Sequence, residues 1–209
     1  MELGDFKPIF QHEDDSCFGV TLKVALDKLD PKIKLSIKVI NKSIGYGKSS
    51  WGVIGDGTAG LDALFYKHLK VKSYTIKRSG GRNMDINTLN GIVKNNSVSP
   101  AIVSVSQNYF TEVKSKYKVI EIPNISFQHQ LVVSHIDGDT INLFDPYAKR
   151  YKISDPNIIT DKGIVQIPVA NFTDYWDATR RDTIWIHKGK ETPIVDEHQA
   201  GLLQWFDQQ

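Results

Sequence analysis

Hydrophobic periodicity changes near the middle of this 209-residue chain, and that change restricts the fold more than any other feature. The first half carries apolar residues at helical spacing, whereas the second half carries the short apolar runs and alternations of strands. Helices followed by antiparallel strands indicate an α+β domain. We therefore predict a helical N-terminal half packed on a C-terminal antiparallel β-sheet.

Three segments of the first half have the spacing of amphipathic helices: residues 16–29, 61–69 and 85–95. Ser16 or Asp15 can cap the first helix, because a short oxygen-bearing side chain accepts from the free amides of a helix start. Pro31 ends its apolar pattern. Asp85 is placed to cap the third helix.

Strands are predicted for six segments of the second half: residues 101–106, 130–136, 140–145, 150–153, 164–167 and 183–186. The second and third of these form a hairpin across Asp137-Gly138-Asp139. A short helix is expected near residues 171–176. These elements complete the sheet of the predicted α+β domain.

One domain is expected over residues 1–190, followed by a C-terminal tail or short docking helix over residues 191–209. The net charge of +2 gives no electrostatic reason to expect a nucleic-acid partner. No apolar run reaches the length of a membrane span, and the N-terminus lacks the pattern of a signal peptide. A cytoplasmic location is therefore expected, with a delivered or secreted effector as the alternative.

Cys17 is the only cysteine of the chain, which excludes an internal disulfide and a zinc site built from several thiolates. A lone cysteine is either inert core filling or a reactive nucleophile. Cys17 falls at the first turn of a predicted helix, where free amides and the helix dipole favour a thiolate. The polar residues 12–16 directly before it argue against deep apolar burial.

A histidine and an aspartate are expected to meet across the predicted hairpin. With a three-residue turn, Thr140 faces Ile136. Asp145 then faces Leu131, which shares a face with His129 because side chains alternate along a strand. The aspartate lies diagonally from the histidine, at about 7–8 Å between backbone positions and within side-chain reach. A turn one residue longer or shorter would put the aspartate on the other face.

The remaining histidines are weaker candidates. His135 is predicted on the same face as His129, but it stands opposite Ile141, near the hairpin tip and far from the aspartate. Four others have no chemical partner that the sequence identifies and are expected to be structural or solvent-facing: His12, His68, His187 and His198.

Gln11 lies six residues before Cys17. A glutamine amide at that position can donate to an oxyanion, with the Cys17 backbone amide as the second donor. A surface glutamine is the alternative interpretation, and Gln11 alone does not decide between them.

Four segments follow one another in an order and spacing more specific than any one of them. QHEDDSCFGVTLKVALDKL has a glutamine six residues before a cysteine that opens a helix, and DINTLNGIVKNNSVSPAIVSVS runs from a helix through a proline into a buried strand. HQLVVSHIDGDTINLFDPY combines a histidine, a hairpin and an Asp-Pro, and NFTDYW closes the series. Across residues 5–187 this pattern resembles the bacteriocin-processing, double-glycine-leader peptidases, a family of papain-like cysteine peptidases.

The resemblance implies a papain-like fold that cleaves a peptide or protein substrate and needs no metal or organic cofactor. It implies that Cys17 is the nucleophile, His129 the general base, Asp145 the residue that orients the histidine, and Gln11 the oxyanion-hole residue. Two features depart from the family pattern: a bulky Phe18 follows the cysteine, and a glycine-rich insertion occupies residues 41–60. Both departures affect the expectation about which substrate binds more than the expectation about which reaction is catalysed.

Two further interpretations of the same residues stay open. A thioester at Cys17 can be resolved by an amine, which gives acyl transfer, or formed from a side-chain amide, which gives deamidation; an effector or toxin could use either reaction. A catalytically silent module that binds peptides is the other interpretation, and the intact set of glutamine, cysteine, histidine and aspartate argues against it.

Two other patterns are given little weight. Residues 55–60 have the spacing G-x-G-x-x-G, but no strand–helix–strand unit with a suitably placed acidic residue accompanies them, and a flexible loop is predicted. A lysine-rich polar stretch is a candidate substrate or partner surface, but an ordinary solvated hairpin is the favoured interpretation; the aromatic residues that bracket it are Tyr109, Phe110, Tyr117 and Phe127.

Overall fold

The structure is a computed structural model that describes residues 7–12, 16–46, 74–121, 128–153 and 162–189. The predicted helix at residues 61–69, the glycine-rich residues 55–60 and the C-terminal segment 191–209 lie outside the described residues.

The described helices are α1 (Cys17–Leu29), α2 (Ile37–Ser43), α3 (Ile86–Lys94), α4 (Asn108–Tyr117) and α5 (Val169–Asp177). The described strands are β1 (Tyr74–Ser79), β2 (Ile102–Val105), β3 (Val119–Glu121), β4 (His129–Asp137), β5 (Thr140–Phe144), β6 (Lys152–Ile153), β7 (Ile164–Pro168) and β8 (Thr183–Lys188). Short 3-10 turns occupy Gly81–Asn83 and Ala148–Arg150.

Six strands form an antiparallel sheet in the order β1-β8-β2-β4-β5-β7, and β3 pairs with β6 beside it. Alternate residues of the central strands enter two separate apolar clusters, because successive side chains point to opposite faces. Helices α1 and α2 cover one face, around Val132 and Phe144. Helices α3, α4 and α5 cover the other, around Leu131 and Leu143. The predicted α+β class is confirmed.

Helix α1 begins and ends at residues that match its predicted limits. Ser16 caps it, since its Oγ accepts from the Gly19 amide at 2.8 Å. After the last turn, the carboxylate of Asp30 accepts from the Tyr74 hydroxyl at 2.7 Å and from Lys188. The hydrogen bond from Lys188, then that from Tyr74, lowers the pKa of Asp30 to about 2. These contacts fasten the end of α1 to β1 and β8.

The predicted solvated hairpin at residues 109–117 is wrong, because this segment is helix α4. Tyr109, Val113 and Tyr117 recur every four residues, place their side chains on one face and are buried. The lysines between them lie on the exposed face. Helix α2 and strand β1 were not predicted from the sequence, whereas α3 and strand β2 lie within the predicted ranges.

The hairpin of β4 and β5 forms with a shorter turn than predicted. Asp137 pairs with Thr140, so the turn consists of the two residues Gly138 and Asp139, and the three-residue turn is wrong. Gly138 has φ +54°, the left-handed conformation that two-residue hairpin turns require and that glycine adopts without strain.

A register shift further along the hairpin compensates for the shorter turn. His135 pairs with Asn142, but Val133 pairs with Leu143, so Ser134 is an extra residue on β4. The turn is one residue shorter than predicted and the bulge adds one residue. The base of the hairpin therefore recovers the predicted register, and the ends of β4 and β5 meet as expected.

Candidate active site

Cys17 is the first residue of α1 and is partly exposed, between the buried residues Ser16 and Phe18. The Ser16 hydroxyl donates to Asn41 Oδ1 at 2.8 Å, which ties the start of α1 to α2. The capping bond and this contact fix the helix start, and with it the backbone that carries the thiol.

Gly19 allows the close contact between the start of α1 and Asn41. A β-carbon at this position would lie 1.8 Å from Asn41 Oδ1 and 2.7 Å from Ser16 Oγ. The two residues after the cysteine have separate local roles: Phe18 fills the apolar cluster beneath the helix, while Gly19 leaves room for the asparagine.

Gly19→Ala is expected to lower the free energy of unfolding by about 1–3 kcal/mol, because Asn41 must leave its bond to Ser16. Gly91→Ala is the matched control, since Gly91 lies inside helix α3 with nothing within 4 Å of the added carbon. That control should stabilise the protein by about 0.5–1 kcal/mol. Urea unfolding of both variants measures the difference, and equal stabilities would contradict the assigned contact.

His129 and Asp145 form a buried pair where β4 begins and β5 has just ended. His129 Nε2 lies 2.8 Å from Asp145 Oδ1, and the two side chains are 1% and 0% exposed. The bond uses Nε2, which leaves Nδ1 as the nitrogen available to the thiol. The approach of these two residues is the one predicted from the hairpin.

Charge interactions connect His129 with both neighbours. Burial of the imidazole lowers its pKa, but attraction to the Asp145 carboxylate and hydrogen bonds to Asp145 and Cys17 outweigh it and raise the pKa to about 9. Burial also raises the pKa of Asp145, but attraction and a hydrogen bond from His129 hold it below its usual value. At neutral pH the pair is therefore imidazolium and carboxylate, with the thiol of Cys17 beside it.

The other oxygen of the carboxylate accepts hydrogen bonds from two tyrosines that were not predicted as site residues. Tyr109 and Tyr151 donate their hydroxyls to Asp145 Oδ2 at 2.8 and 2.5 Å. The Tyr147 amide donates to Oδ1 at 2.8 Å. The signal for Tyr109 was the four-residue spacing along α4; no signal in the sequence identifies Tyr151.

Aromatic rings enclose the imidazole on three sides. The centroids of Phe110, Tyr147 and Tyr109 lie 5.1, 5.6 and 6.1 Å from that of His129. The Tyr147 ring is partly exposed and also lies near Cys17, whose charge contributes to a raised Tyr147 pKa that is caused mainly by burial. This enclosure restricts the imidazole to the orientation in which it meets the carboxylate.

Gln11 is buried and belongs to the same assembly through its backbone. Its amide donates to the Pro146 carbonyl at 2.9 Å, directly after Asp145. The neighbouring Phe10 packs against Phe144 with ring centroids 6.0 Å apart. The segment that carries Gln11 is thus anchored beside the end of β5.

His135 does not lie on the face of the sheet that carries His129. His135 pairs with Asn142, whereas Ile136 packs into the cluster that contains Leu131, so the bulge turns His135 to the face opposite His129. The predicted shared face for the two histidines is therefore wrong. His12 and His187 are exposed, and His68 and His198 lie outside the described residues. Among the residues whose positions are described, no group of three or more His, Cys, Asp or Glu side chains is placed to hold a metal ion.

No family model matches the sequence, and no curated protein matches it. Solved structures do match the fold. A C39-like peptidase from Bacillus anthracis aligns over 91% of this chain and 98% of its own, with a TM-score of 0.58 and 16% identity. The peptidase domain of Streptococcus ComA, a bifunctional ABC transporter of a quorum-sensing pathway, aligns over 88% and 98%, with a TM-score of 0.52 and 16% identity.

A double-glycine-motif protease from an AMS/PCAT transporter, solved in complex with its leader peptide, aligns over 88% of this chain and 91% of its own, with a TM-score of 0.46 and 15% identity. The first two structures show that this chain has the fold of papain-like C39 peptidase domains, as the sequence resemblance implied. No helix in the described part of the chain is long and apolar enough to cross a membrane.

Proposed function

We propose that this chain is a cysteine peptidase or amide hydrolase, with Cys17 as nucleophile, His129 as general acid and base, and Asp145 as its orienting partner. The observation that supports the proposal most strongly is the buried pair of His129 and Asp145, bonded at 2.8 Å beside the cysteine at a helix start. A buried ion pair of this kind is costly to maintain for structure alone, which favours a chemical role.

The proposed reaction begins with a thiolate and an imidazolium. The pKa of His129, raised to about 9, keeps its ring protonated at neutral pH, and an imidazolium favours a thiolate next to it. The thiolate sulfur forms a bond to the substrate carbonyl carbon, the carbon–oxygen π bond breaks, and the carbonyl oxygen becomes an oxyanion. The Gln11 side-chain amide and the Cys17 backbone amide are proposed to stabilise that oxyanion.

The imidazolium then gives its proton to the leaving amine as the carbon–nitrogen bond breaks, which leaves a thioester on Cys17. Neutral His129 next takes a proton from water while the water oxygen attacks the thioester carbon. The acid product leaves and the cysteine returns to its thiolate form. Throughout these steps Asp145 holds the ring through Nε2 and stabilises the imidazolium.

The substrate is proposed to be a peptide or protein, and residues 1–190 are proposed to form the catalytic domain. A cytoplasmic location and the absence of a nucleic-acid partner remain predictions from the sequence. The same cysteine and histidine could also carry acyl transfer or deamidation, so the products must be identified.

Incubation with a mixed peptide pool in isotopically labelled water, followed by mass spectrometry, tests the proposal. Hydrolysis yields shorter peptides that carry the label at a new carboxyl group. Deamidation adds the label to a peptide of unchanged length, and acyl transfer joins an amine without label. Cys17→Ser is the control; a product pattern identical in wild type and Cys17→Ser contradicts catalysis and favours the peptide-binding module.

A further inference from the structure

The Asp145 carboxylate is held by more donors than the histidine alone. Its Oδ2 accepts hydroxyls from Tyr109, on α4, and from Tyr151, directly after the 3-10 turn that follows β5. The two tyrosines are 0% and 6% exposed, so their hydroxyls reach the carboxylate from inside the protein. Two donors on one oxygen, from two separate elements, fix the plane of the carboxylate.

We infer that Tyr109 and Tyr151 are positioning residues for the Cys17–His129 chemistry, because their hydroxyls hold the Asp145 carboxylate so that Oδ1 faces His129. This inference rests on the proposed function. The tyrosine hydroxyls do not contact a reacting atom; they act through the carboxylate and then the imidazole.

The geometry explains why two hydroxyls are needed. Oδ1 accepts from His129 Nε2 and from the Tyr147 amide, each at 2.8 Å. A carboxylate held only at Oδ1 could still rotate about the Cβ–Cγ bond of Asp145 and move Oδ1 out of line with His129 Nε2. The two phenols oppose that rotation from the other oxygen.

The tyrosines also remain donors over the whole working range of pH. Burial first, and then the negative charge of Asp145, raise the pKa of both Tyr109 and Tyr151 well above the usual value for a phenol. A protonated phenol can donate to the carboxylate at any pH where the imidazolium exists. Both phenols can therefore hold Asp145 while the histidine gives up and regains its proton.

A structural role alone is the competing explanation, since any buried hydroxyl needs a partner. Tyr117 separates the two explanations. It lies on the same helix as Tyr109, is buried, and bonds the backbone of Gln166 at 2.8 Å through its hydroxyl. Tyr117→Phe removes a comparable hydroxyl far from the carboxylate.

The test compares Tyr109→Phe, Tyr151→Phe, the double variant and Tyr117→Phe in the hydrolysis of p-nitrophenyl acetate. Each single variant at the carboxylate should lower kcat by about 10-fold with little change in KM, and the double variant should lose more. Tyr117→Phe should keep the wild-type kcat even if its Tm falls.

Proton NMR provides a second readout. The low-field signal of the His129 Nε2 proton should be present in wild type and Tyr117→Phe, and weakened or lost in the double variant. A wild-type kcat and an unchanged signal in both single variants would overturn the positioning role. If the double variant does not fold, the single variants decide the question, since one phenol still bonds Oδ2.

Failure of the proposed function gives a different result. If wild type hydrolyses the ester no faster than Cys17→Ala, the catalytic proposal is wrong and the inference about the tyrosines is wrong with it. If wild type is faster than Cys17→Ala and the phenylalanine variants match wild type, only the inference about the tyrosines is overturned.

Discussion

Asp145→Ala is expected to lower the free energy of unfolding by about 3–5 kcal/mol, the usual effect of removing one partner of a buried ion pair. Four donors point at this carboxylate: the ring of His129, two tyrosine hydroxyls and a backbone amide. Alanine would leave all four without an acceptor in a site that water does not reach. Urea unfolding at neutral pH measures the loss.

Two further variants show whether the loss comes from the buried acceptor. Asp145→Asn can still accept from His129 and the Tyr147 amide while its NH₂ donates to the phenol oxygens, so it should be more stable than Asp145→Ala. Asp182→Ala is the matched control, because Asp182 accepts from Arg78 and Ser104 in a more exposed place and should cost less. Stability of Asp145→Ala equal to wild type would contradict the assigned network.

The pH dependence of this effect follows from the directions of the two pKa shifts. The Asp145 pKa is lowered in the folded protein, so its ionisation stabilises the fold above about pH 4, the unfolded value, and that contribution is lost as the pH falls through the folded value. The His129 pKa is raised to about 9, so its protonation stabilises the fold fully below about pH 6.5 and is lost as the pH rises through 9. The stability difference between wild type and Asp145→Asn should therefore be largest between about pH 4 and 6.5.

His129→Ala is expected to slow the alkylation of Cys17 by iodoacetamide about 100-fold at about pH 6. An ordinary thiol with a pKa near 8.5 is about 0.3% thiolate at that pH, whereas the proposed pair with the imidazolium would supply the attacking thiolate. The lower intrinsic reactivity of such a thiolate reduces the difference somewhat. The second-order rate constant, followed by mass spectrometry, measures the effect.

His135→Ala is the matched control for this prediction. It removes a histidine from the same strand, but one that the bulge turns to the opposite face of the sheet. Its alkylation rate should lie within about twofold of wild type, since His135 does not face His129 and its removal leaves the imidazole beside Cys17 in place. An equal loss in both variants would indicate a general disturbance of the strand and not a thiolate–imidazolium pair.

The ends of elements could be predicted from the sequence because local chemistry determines them. Ser16 and Asp85 cap their helices through their own side chains, three residues ahead of the amides they accept from. The approach of His129 and Asp145 was predicted because both lie at the open end of one hairpin. These features depend on contacts between residues that are near one another in the chain.

The register inside the hairpin could not be predicted in the same way. The two-residue turn and the extra residue Ser134 offset each other, so the correct contact at the base of the hairpin was predicted with a wrong turn at its tip. A bulge depends on how β4 packs against its neighbouring strands and helices, and no single residue in the sequence predicts it. For that reason the prediction of which face of the sheet carries His135 was wrong.

The tyrosines at Asp145 were missed because their role depends on distant packing. Tyr109 lies 36 residues from Asp145 in the chain, and its hydroxyl reaches the carboxylate only because α4 packs across the sheet. The aromatic spacing of α4 indicates a buried face only when the segment is known to be a helix, and the segment was predicted to be a hairpin. Only the three-dimensional structure shows which of those buried rings contacts a carboxylate.

The central claim is that Cys17 and His129 form a reactive ion pair, and the pH profile of Cys17 alkylation in the wild-type protein tests it most directly. Iodoacetamide reactivity measured from about pH 4 to about pH 10 should already be high in the acidic to neutral range, well below the ordinary thiol value of about 8.5. It should change again near pH 9, where His129 loses its proton. A single rise centred near pH 8.5, with slow alkylation below it, would contradict the ion pair and leave a papain-like fold with an ordinary cysteine.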